Sequence, residues 1–179
     1  AQLAEVYSQA VENCDDDVDK VGCYERLADI WMTKLDNDEN ASQCYEAILK
    51  IDEFHMKSIV ALESLYAKAH ANEKNVEILK RHVDVVTDLI DRKDLLYRIA
   101  ELQENALHQP QEAIKTYLEV LDLDAEDALA LDALEKLYLQ SENWTELVDI
   151  YKRKIDVTSE TASRIELEIK VAQTSSEKL

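Results

Sequence analysis

Apolar side chains recur at every third or fourth position along most of the chain, as in the series Leu131, Leu134 and Leu137. This spacing places them on one face of an α-helix, because a helix completes a turn in about 3.6 residues. Short polar segments separate the apolar series and predict where helices end. The pattern predicts about ten α-helices, at roughly residues 1–14, 17–35, 39–52, 55–70, 75–90, 93–108, 111–123, 127–140, 143–157 and 161–177.

The chain repeats itself at an offset of 72 residues, at which Tyr24–His70 aligns with Leu96–Glu142 without a gap. Identical residues coincide at Arg26/Arg98, Ala28/Ala100, Leu35/Leu107, Ala41/Ala113, Tyr45/Tyr117, Leu49/Leu121, Asp52/Asp124, Ala61/Ala133, Leu62/Leu134, Glu63/Glu135, Leu65/Leu137 and Tyr66/Tyr138. A segment of 72 residues contains four predicted helices, which form two hairpins. The structural repeat is therefore a two-helix hairpin of about 36 residues. Such repeats indicate a helical solenoid, whose function usually lies on an extended face.

The same register continues into both ends of the chain. Leu3 aligns with Leu147 at twice the offset, and Leu167 aligns with Leu95. The first helix is therefore expected to be the second half of a hairpin, and the last helix to be the first half of one. We expect residues 1–179 to be a single block of a longer array, and the half-hairpins at its ends to permit self-association.

Composition supports an all-α fold and narrows the choice of partners. One glycine and one proline leave few residues for β-hairpin turns, whereas good helix formers dominate. With 39 acidic and 20 basic side chains, the formal net charge is −19. This charge repels nucleic-acid phosphates and anionic membranes, so we expect neither as a direct partner. It favours basic protein segments instead.

The three cysteines, Cys14, Cys23 and Cys44, include no Cys-x-x-Cys pair. An odd number without metal or redox spacing indicates free thiols in a reducing compartment, so we expect a cytoplasmic location. No apolar run approaches the roughly 20 residues that a membrane-spanning helix needs.

Residues that could support catalysis do not cluster in the sequence. The four histidines are His55, His70, His82 and His108. They lie at or near predicted loops or on helices of different hairpins, without metal-binding spacing. An EF-hand beginning at Asp15 is excluded, because Lys20 and Arg26 replace its glycine and glutamate. We therefore expect no enzymatic activity and no catalytic, cofactor-binding or metal-binding residue.

The hairpins carry two motifs that resemble the tetratricopeptide repeat, W-x-x-L-G-x-x-Y in the first helix and A-x-x-x-F in the second. The copies are Tyr24-x-x-Leu27-Ala28-x-x-Trp31 with Ala41-x-x-x-Tyr45, Ile59-x-x-Leu62-Glu63-x-x-Tyr66, Leu96-x-x-Ile99-Ala100-x-x-Gln103 with Ala113-x-x-x-Tyr117, and Leu131-x-x-Leu134-Glu135-x-x-Tyr138 with Leu147-x-x-x-Tyr151. The copies are degenerate, since Glu63 and Glu135 replace the small residue of the motif. The half-a-tetratricopeptide repeat has a similar pattern and is an alternative.

The resemblance implies a right-handed superhelical solenoid of antiparallel helix hairpins. Small residues are predicted to let the helices approach closely, and large aromatic residues to fill the gaps between hairpins. The small residues are Ala28, Ala41, Ala100 and Ala113, and the aromatic residues are Tyr45, Tyr66, Tyr117, Tyr138 and Trp31. With the substitutions in the degenerate copies, helix pairs are expected to pack less tightly than in regular repeats, or at altered angles. Because odd and even hairpins differ, their geometries are expected to alternate.

In this family the first helices line a concave face on which partners bind. The resemblance assigns that face to Glu25, Asp29, Met32, Val60, Ser64, Ala67, Tyr97, Glu101, Glu104, Asp132, Lys136 and Leu139. We predict that these residues bind a protein or peptide segment, so that the chain is a protein–protein interaction scaffold. Their acidic character favours a basic segment. Acidic C-terminal tails are not predicted as partners, because Lys136 is the only lysine of the set.

Two other functions fit the same sequence. A structural spacer within a larger solenoid, whose binding sites lie elsewhere, is the main alternative to the scaffold. An RNA-processing scaffold of the half-repeat type is the third, and the acidic charge argues against it. The first two differ in whether this chain binds a partner by itself.

Overall fold

The computed structural model describes residues 2–179, with side chains from Leu3 onward. Within these residues it contains ten α-helices joined by short turns and no β-strand. The helices are α1 (Gln2–Asn13), α2 (Asp17–Lys34), α3 (Asp38–Ile51), α4 (Met56–Lys68), α5 (Asn72–Val85), α6 (Leu89–Glu101), α7 (Pro110–Leu123), α8 (Ala128–Gln140), α9 (Trp144–Val157) and α10 (Thr161–Lys178). A π-helical segment, Leu102–Ala106, continues α6. The predicted all-α fold of about ten helices is confirmed.

The break between α5 and α6 lies at residues 86–88, whereas the sequence pattern predicts it at Asp91–Lys93. The carboxylate of Asp88 accepts hydrogen bonds from the backbone N–H groups of Ile90 at 2.8 Å and Asp91 at 3.1 Å. An N-cap aspartate satisfies free donors of the first turn, so the charged residues that follow it are helical. The prediction was wrong here because a charged run was taken for a loop.

The helices divide into two compact units, unit 1 with residues 1–87 and unit 2 with residues 88–179. In unit 1, α2 and α3 form one hairpin, α4 and α5 form a second, and α1 packs on α2. In unit 2, the hairpins are α6–α7 and α8–α9, and α10 packs on α9. Among the described helices, the first and the last thus each pack on one neighbouring helix. A continuous array through both units stays a prediction.

The conserved spacing of the repeat places the same kinds of residue in the core of each unit. The four predicted small residues, Ala28, Ala41, Ala100 and Ala113, are completely buried. The four predicted core tyrosines, Tyr45, Tyr66, Tyr117 and Tyr138, are buried as well. Small side chains let two helix backbones approach, and the tyrosines supply the apolar surface that each hairpin buries. Trp31 is only half-buried.

The turns within the four hairpins contain residues other than glycine in the left-handed backbone conformation. Asp36, His70, His108 and Glu142 have φ values of 47°, 52°, 53° and 55°. They form two pairs at the repeat offset, Asp36 with His108 and His70 with Glu142. A chain with one glycine therefore ends its first helices in a conformation that glycine adopts at lower cost.

Two hairpin types alternate at these turns. In the first hairpin of unit 1 the Asn37 N–H donates to the carbonyl of Trp31, six residues back, at 2.9 Å. In the second hairpin the Ala71 N–H donates to the carbonyl of Tyr66, five residues back, at 3.0 Å. The hairpins of unit 2 repeat this difference. The predicted alternation is confirmed at the level of the turn.

Candidate partner-binding faces

The predicted site residues lie on the first helices of the hairpins. In unit 1, α2 carries Glu25, Asp29 and Met32, and α4 carries Val60, Ser64 and Ala67. In unit 2, α6 and the π-helical segment carry Tyr97, Glu101 and Glu104, and α8 carries Asp132, Lys136 and Leu139. Each unit therefore presents its own set of these residues, and we call each set the first-helix face of that unit.

Glu25 connects α2 to the start of α4. Its carboxylate lies 3.2 Å from Lys57 Nζ and 3.7 Å from His55 Nε2. His55 is the N-cap of α4, where its Nδ1 accepts a hydrogen bond from the Ser58 N–H at 3.3 Å. The negative charge of Glu25 is thus partly compensated within unit 1, and this residue links the two first helices.

Tyr97 occupies the position equivalent to Glu25 and makes the equivalent contact. Its hydroxyl donates a hydrogen bond to the carboxylate of Asp127, the N-cap of α8. Its ring packs edge-on against Tyr117, with 6.1 Å between centroids. Burial and the hydrogen bond to Asp127 raise the pKa of Tyr97, so the hydroxyl stays a neutral donor. Tyr97 therefore holds the start of α8.

Three further charged residues of the predicted site are engaged in ion pairs. Lys136 Nζ lies 2.6 Å from Glu104 Oε1, which joins α8 to the π-helical segment. Asp132 Oδ1 lies 2.6 Å from Lys154 Nζ, which also contacts Glu135. Although burial opposes its charge, these carboxylates raise the pKa of Lys154. Much of the charge that the sequence places on the first-helix face of unit 2 is therefore neutralised internally.

Asp29 and Glu101 differ from the other predicted acidic residues because both are exposed and form no ion pair among the described side chains. They are equivalent positions at the repeat offset, one in each unit. Burial, followed by the charge of Asp29, raises the pKa of Tyr45 to about 12. Burial, followed by acidic neighbours that include Glu101, raises the pKa of Tyr117 to about 12. Each unit thus presents one accessible carboxylate near a buried neutral tyrosine.

The remaining site residues contribute apolar or small surface beside these carboxylates. In unit 1, Met32 is 38% exposed, and its Sδ lies 3.9 Å from the hydroxyl of Tyr45. Val60 and Ser64 are exposed on α4. In unit 2, Leu139 is exposed near the end of α8. The first-helix faces therefore combine acidic groups with exposed apolar side chains.

Sequence reasoning missed a buried pair between the helices of every second hairpin. Glu63 on α4 contacts His82 on α5, and their side chains are only 9% and 16% exposed. In unit 2 the equivalent residues, Glu135 and Lys154, make the equivalent contact. Each glutamate fills the small-residue position and binds a basic side chain across the hairpin. The signal was present in the sequence, because both members of the pair recur at the repeat offset.

The part of the chain that the structure describes contains no group of three His, Cys, Asp or Glu side chains arranged to hold a metal ion. None of its helices combines the length and the apolar character needed to span a bilayer. Its cysteines are free thiols, and burial raises the pKa of Cys44 to about 11.

Known proteins show the same kind of repeat. The family model described as "Tetratricopeptide repeat" matches residues 130–165. This range covers most of α8, all of α9 and the start of α10, so the match falls on the fourth copy of the motif. No curated protein matches the chain in sequence.

Solved structures share the helical fold at low sequence identity. A structure of MamA (AMB-1) is 20% identical, with a TM-score of 0.51, and the alignment covers 93% of this chain and 89% of that chain. YrrB, described as a TPR protein with an unusual peptide-binding site, is 14% identical, with a TM-score of 0.46 and coverages of 98% and 95%. PilF of Pseudomonas aeruginosa is 14% identical, with a TM-score of 0.44 and coverages of 99% and 83%.

The helical hairpins, the family match and the fold shared with MamA agree on the kind of fold. Residues 130–165 match the tetratricopeptide repeat, and the described chain as a whole has a fold of helical hairpins like that of MamA. Stacked helical hairpins generally build extended faces on which partners bind.

Proposed function

We propose that the chain is a non-enzymatic interaction scaffold that binds a basic protein segment on its first-helix faces. The observation that carries the proposal is the placement of Asp29 and Glu101, which are equivalent, exposed and without an ion pair among the described residues. The negative charges of these two carboxylates attract lysine or arginine side chains of a partner. The net charge of −19 also speeds the encounter with a basic partner.

The surroundings of the two carboxylates support a segment with both basic and apolar residues. One turn from Asp29, the exposed side chain of Met32 provides apolar surface for a neighbouring residue of the partner, and Val60 on α4 is exposed as well. Near Glu101, a basic residue of the partner competes with Lys136 for Glu104. Such a segment therefore gains ion pairs and apolar burial together, which a purely basic polymer does not.

Charge reversal at the two carboxylates tests the proposal. The probe is a capped, fluorescent peptide of alternating lysine and leucine, titrated with the full chain and followed by anisotropy. Asp29→Lys combined with Glu101→Lys is expected to weaken binding about tenfold at low salt. Adding Glu25→Lys and Glu104→Lys should weaken it further.

The matched control reverses one exposed carboxylate on a second helix of each unit. Asp84→Lys on α5 combined with Glu119→Lys on α7 changes the net charge by the same amount. We expect this variant to keep the affinity within about threefold. Equal losses in both double variants would contradict a site on the first-helix faces. Absence of binding by the unaltered chain would favour the structural spacer.

The proposal includes self-association, because the first and last described helices expose apolar faces. Leu3 and Val6 on α1 are 45% and 59% exposed, and Ile165 and Ile169 on α10 are each 51% exposed. Exposed apolar side chains one turn apart on a helix can form part of an interaction surface. Sedimentation should show reversible dimers that dissociate when Ile165→Lys and Ile169→Lys are combined. A monomer at all concentrations would contradict this part of the proposal.

The proposal also places the protein in the cytoplasm. The free thiols of Cys14, Cys23 and Cys44 support a reducing compartment. Cell fractionation with an alkylating reagent that labels reduced cysteines tests this. Recovery of the protein outside the cytoplasm would contradict it.

A further inference from the structure

A cavity of 340 Å³ lies in unit 1, between α3 and α5, the second helices of the two hairpins. Its lining includes the buried side chains of Leu49, Leu62 and Ile78 and the ring of Tyr66. Because these side chains belong to the core, the apolar floor is preformed. The volume is at the lower end of the range for ligand pockets and admits one large apolar side chain.

Charged side chains of both second helices surround this floor. Lys50 extends from α3, and Lys74 and Arg81 extend from α5. Glu46 and Glu77 also line the cavity, and Glu77 lies 3.3 Å from Arg81. The rim thus carries one net positive charge, whereas the whole chain carries −19. We call this cavity and its rim the second-helix groove.

The carboxylate of Glu46 is already engaged by side chains of the floor and the rim. Its Oε1 accepts hydrogen bonds from the Tyr66 hydroxyl at 2.5 Å and from Lys74 Nζ at 2.9 Å. Although burial opposes its ionisation, these bonds hold the pKa of Glu46 below its ordinary value. Lys74 Nζ also lies 5.3 Å from the centroid of the Tyr66 ring. Lys50 forms no ion pair among the described side chains, so its ammonium group is available to a negatively charged ligand.

Unit 2 provides an internal comparison at the repeat offset. The apolar floor is kept in kind, with Leu121, Leu134, Tyr138 and Ile150 at the equivalent positions. The rim changes sign, because Asp122 and Glu146 replace Lys50 and Lys74. Burial, followed by the charge of Glu146, raises the pKa of Tyr138, so this carboxylate acts on Tyr138 where Lys74 approaches Tyr66. The two units therefore share the kind of floor and differ in the charge above it.

We infer that the second-helix groove of unit 1 binds a peptide segment in which a large apolar residue has acidic residues on both sides. The apolar side chain occupies the floor. Acidic residues on one side meet Lys50, and those on the other meet Lys74 and Arg81. Cations on both sides of the floor favour such a peptide over a small acid with one carboxylate. This site goes beyond the proposed function, since its charge preference is opposite to that of the first-helix faces.

The probe is a capped, fluorescent pentapeptide with leucine between two pairs of glutamates, titrated with the full chain. The titration uses about 0.15 M salt, at which the general repulsion by the acidic chain is screened beyond about 8 Å. We expect saturable binding of one peptide per chain. Replacing the peptide leucine by glycine, or its glutamates by lysines, should weaken that binding at least about tenfold. Absence of saturable binding, or equal binding of the lysine peptide, would overturn the inference.

The repeat supplies matched variants. Lys50→Asp with Lys74→Glu introduces the two acidic residues that unit 2 has at these positions and is expected to lower affinity at least about tenfold. Lys50→Asp alone, which leaves the Lys74–Glu46 contact in place, should give a smaller loss in the same direction. Circular dichroism verifies that both variants are folded. Unchanged affinity in the folded double variant would overturn the inference.

The reciprocal variant, Asp122→Lys with Glu146→Lys, gives unit 2 the two lysines of the unit 1 rim, beside Leu118 where unit 1 has Glu46. It is expected to raise the stoichiometry from one peptide to two. A stoichiometry that stays at one contradicts the role assigned to the rim. Asp29→Lys with Glu101→Lys should not weaken binding of the acidic peptide. Failure of the second-helix groove is therefore distinguishable from failure of the first-helix faces.

Discussion

The hydroxyl of Tyr97 donates a hydrogen bond to the carboxylate of Asp127, and this bond joins α6 to the first turn of α8. The same carboxylate accepts the capping bond of α8 at 3.0 Å and lies 2.8 Å from Lys93 Nζ. In unit 1 the equivalent residues, Glu25 and His55, also contact each other. The connection between neighbouring first helices is therefore retained in both units, although its chemistry differs.

Asp127→Asn should make the protein less sensitive to acid. Although burial opposes its ionisation, hydrogen bonds from Lys93 and Tyr97 hold the pKa of Asp127 below its ordinary value. A lowered folded-state pKa contributes stability above the unfolded-state pKa, and this contribution is lost as the pH falls below about 4. We expect Asp127→Asn to lower the free energy of unfolding by about 1–2 kcal/mol near neutral pH and by less near pH 3.

Urea unfolding followed by circular dichroism at the two pH values measures this difference. The matched control is Asp156→Asn, an exposed aspartate on α9. It should change the free energy of unfolding by no more than about 0.5 kcal/mol. A loss in Asp127→Asn that is equal at both pH values would contradict the electrostatic explanation.

His82→Leu should cost more stability than the simultaneous replacement of both members of its pair. The single variant removes the basic side chain of His82, which contacts the buried carboxylate of Glu63. Leaving a buried charge without its partner is more costly than replacing the pair by apolar groups. We expect a loss of about 2–4 kcal/mol for His82→Leu and a smaller loss when Glu63→Leu is added.

A double-mutant cycle in urea measures the coupling between the two positions. His82→Lys copies the residue of unit 2 and serves as the conservative control. It should retain most of the stability, because lysine places a positive charge opposite Glu63. Additive losses for the two leucine replacements would show that the contact contributes no coupling.

Glycine should stabilise the hairpin turns. His70 has φ of 52°, a conformation that costs most residues about 1–2 kcal/mol but is accessible to glycine. Glycine also loses more backbone entropy on folding, which offsets part of this gain. We therefore expect His70→Gly to raise the free energy of unfolding by about 0.5–1 kcal/mol. Thermal and urea unfolding measure the change.

The control for the turn is a glycine placed inside a helix. Lys80 is exposed in the interior of α5. Lys80→Gly should lower the free energy of unfolding by about 1 kcal/mol, since glycine is a poor helix former. The two glycine variants should thus have opposite signs. A destabilised His70→Gly would indicate that the imidazole itself supports the turn.

The buried tyrosines should make the protein unfold at alkaline pH. Burial and neighbouring carboxylates raise the pKa of Tyr45 and of Tyr117 to about 12. A raised folded-state pKa contributes stability that is complete below the unfolded-state pKa of about 10 and is lost as the pH rises toward 12. We expect far-ultraviolet circular dichroism to be lost cooperatively in this interval, together with a rise in tyrosinate absorbance.

Tyr45→Phe and Tyr117→Phe remove the ionisable hydroxyls and keep the rings. Together they should flatten the dependence of the free energy of unfolding on pH above about 10. Tyr24→Phe, at a half-buried position, is the control. An unchanged alkaline transition in the double variant would mean that other groups cause it.

Separating the two units tests whether the chain is one continuous array. Residues 1–87 and 88–179 should each remain helical, because each has its own core. Nearest-neighbour coupling predicts that both pieces are less stable than the whole chain. Thermal unfolding of the three proteins measures this. If each piece were as stable as the whole, the units would be independent domains.

The sequence was sufficient to predict most helices and the core. Burial of Ala28, Ala100 and their counterparts follows from periodicity, because the same face of each helix meets its neighbour in every repeat. The prediction misplaced the break before α6, because the sequence does not distinguish Asp88 from other acidic residues. Its role as an N-cap depends on the hydrogen bond between its carboxylate and the first turn of α6. The role of Glu63 was missed for a similar reason, since its partner His82 lies on another helix.

The sequence by itself therefore determined the class of fold, the number of helices and the equivalence of positions in the two units. These properties depend on local periodicity and on a repeat that is found by aligning the sequence with itself. Only the tertiary structure decided which charges are available. It paired Lys136 with Glu104 and left Asp29 and Glu101 accessible. Ion pairs depend on distances of a few ångströms between side chains on different helices, and spacing along the chain does not specify those distances.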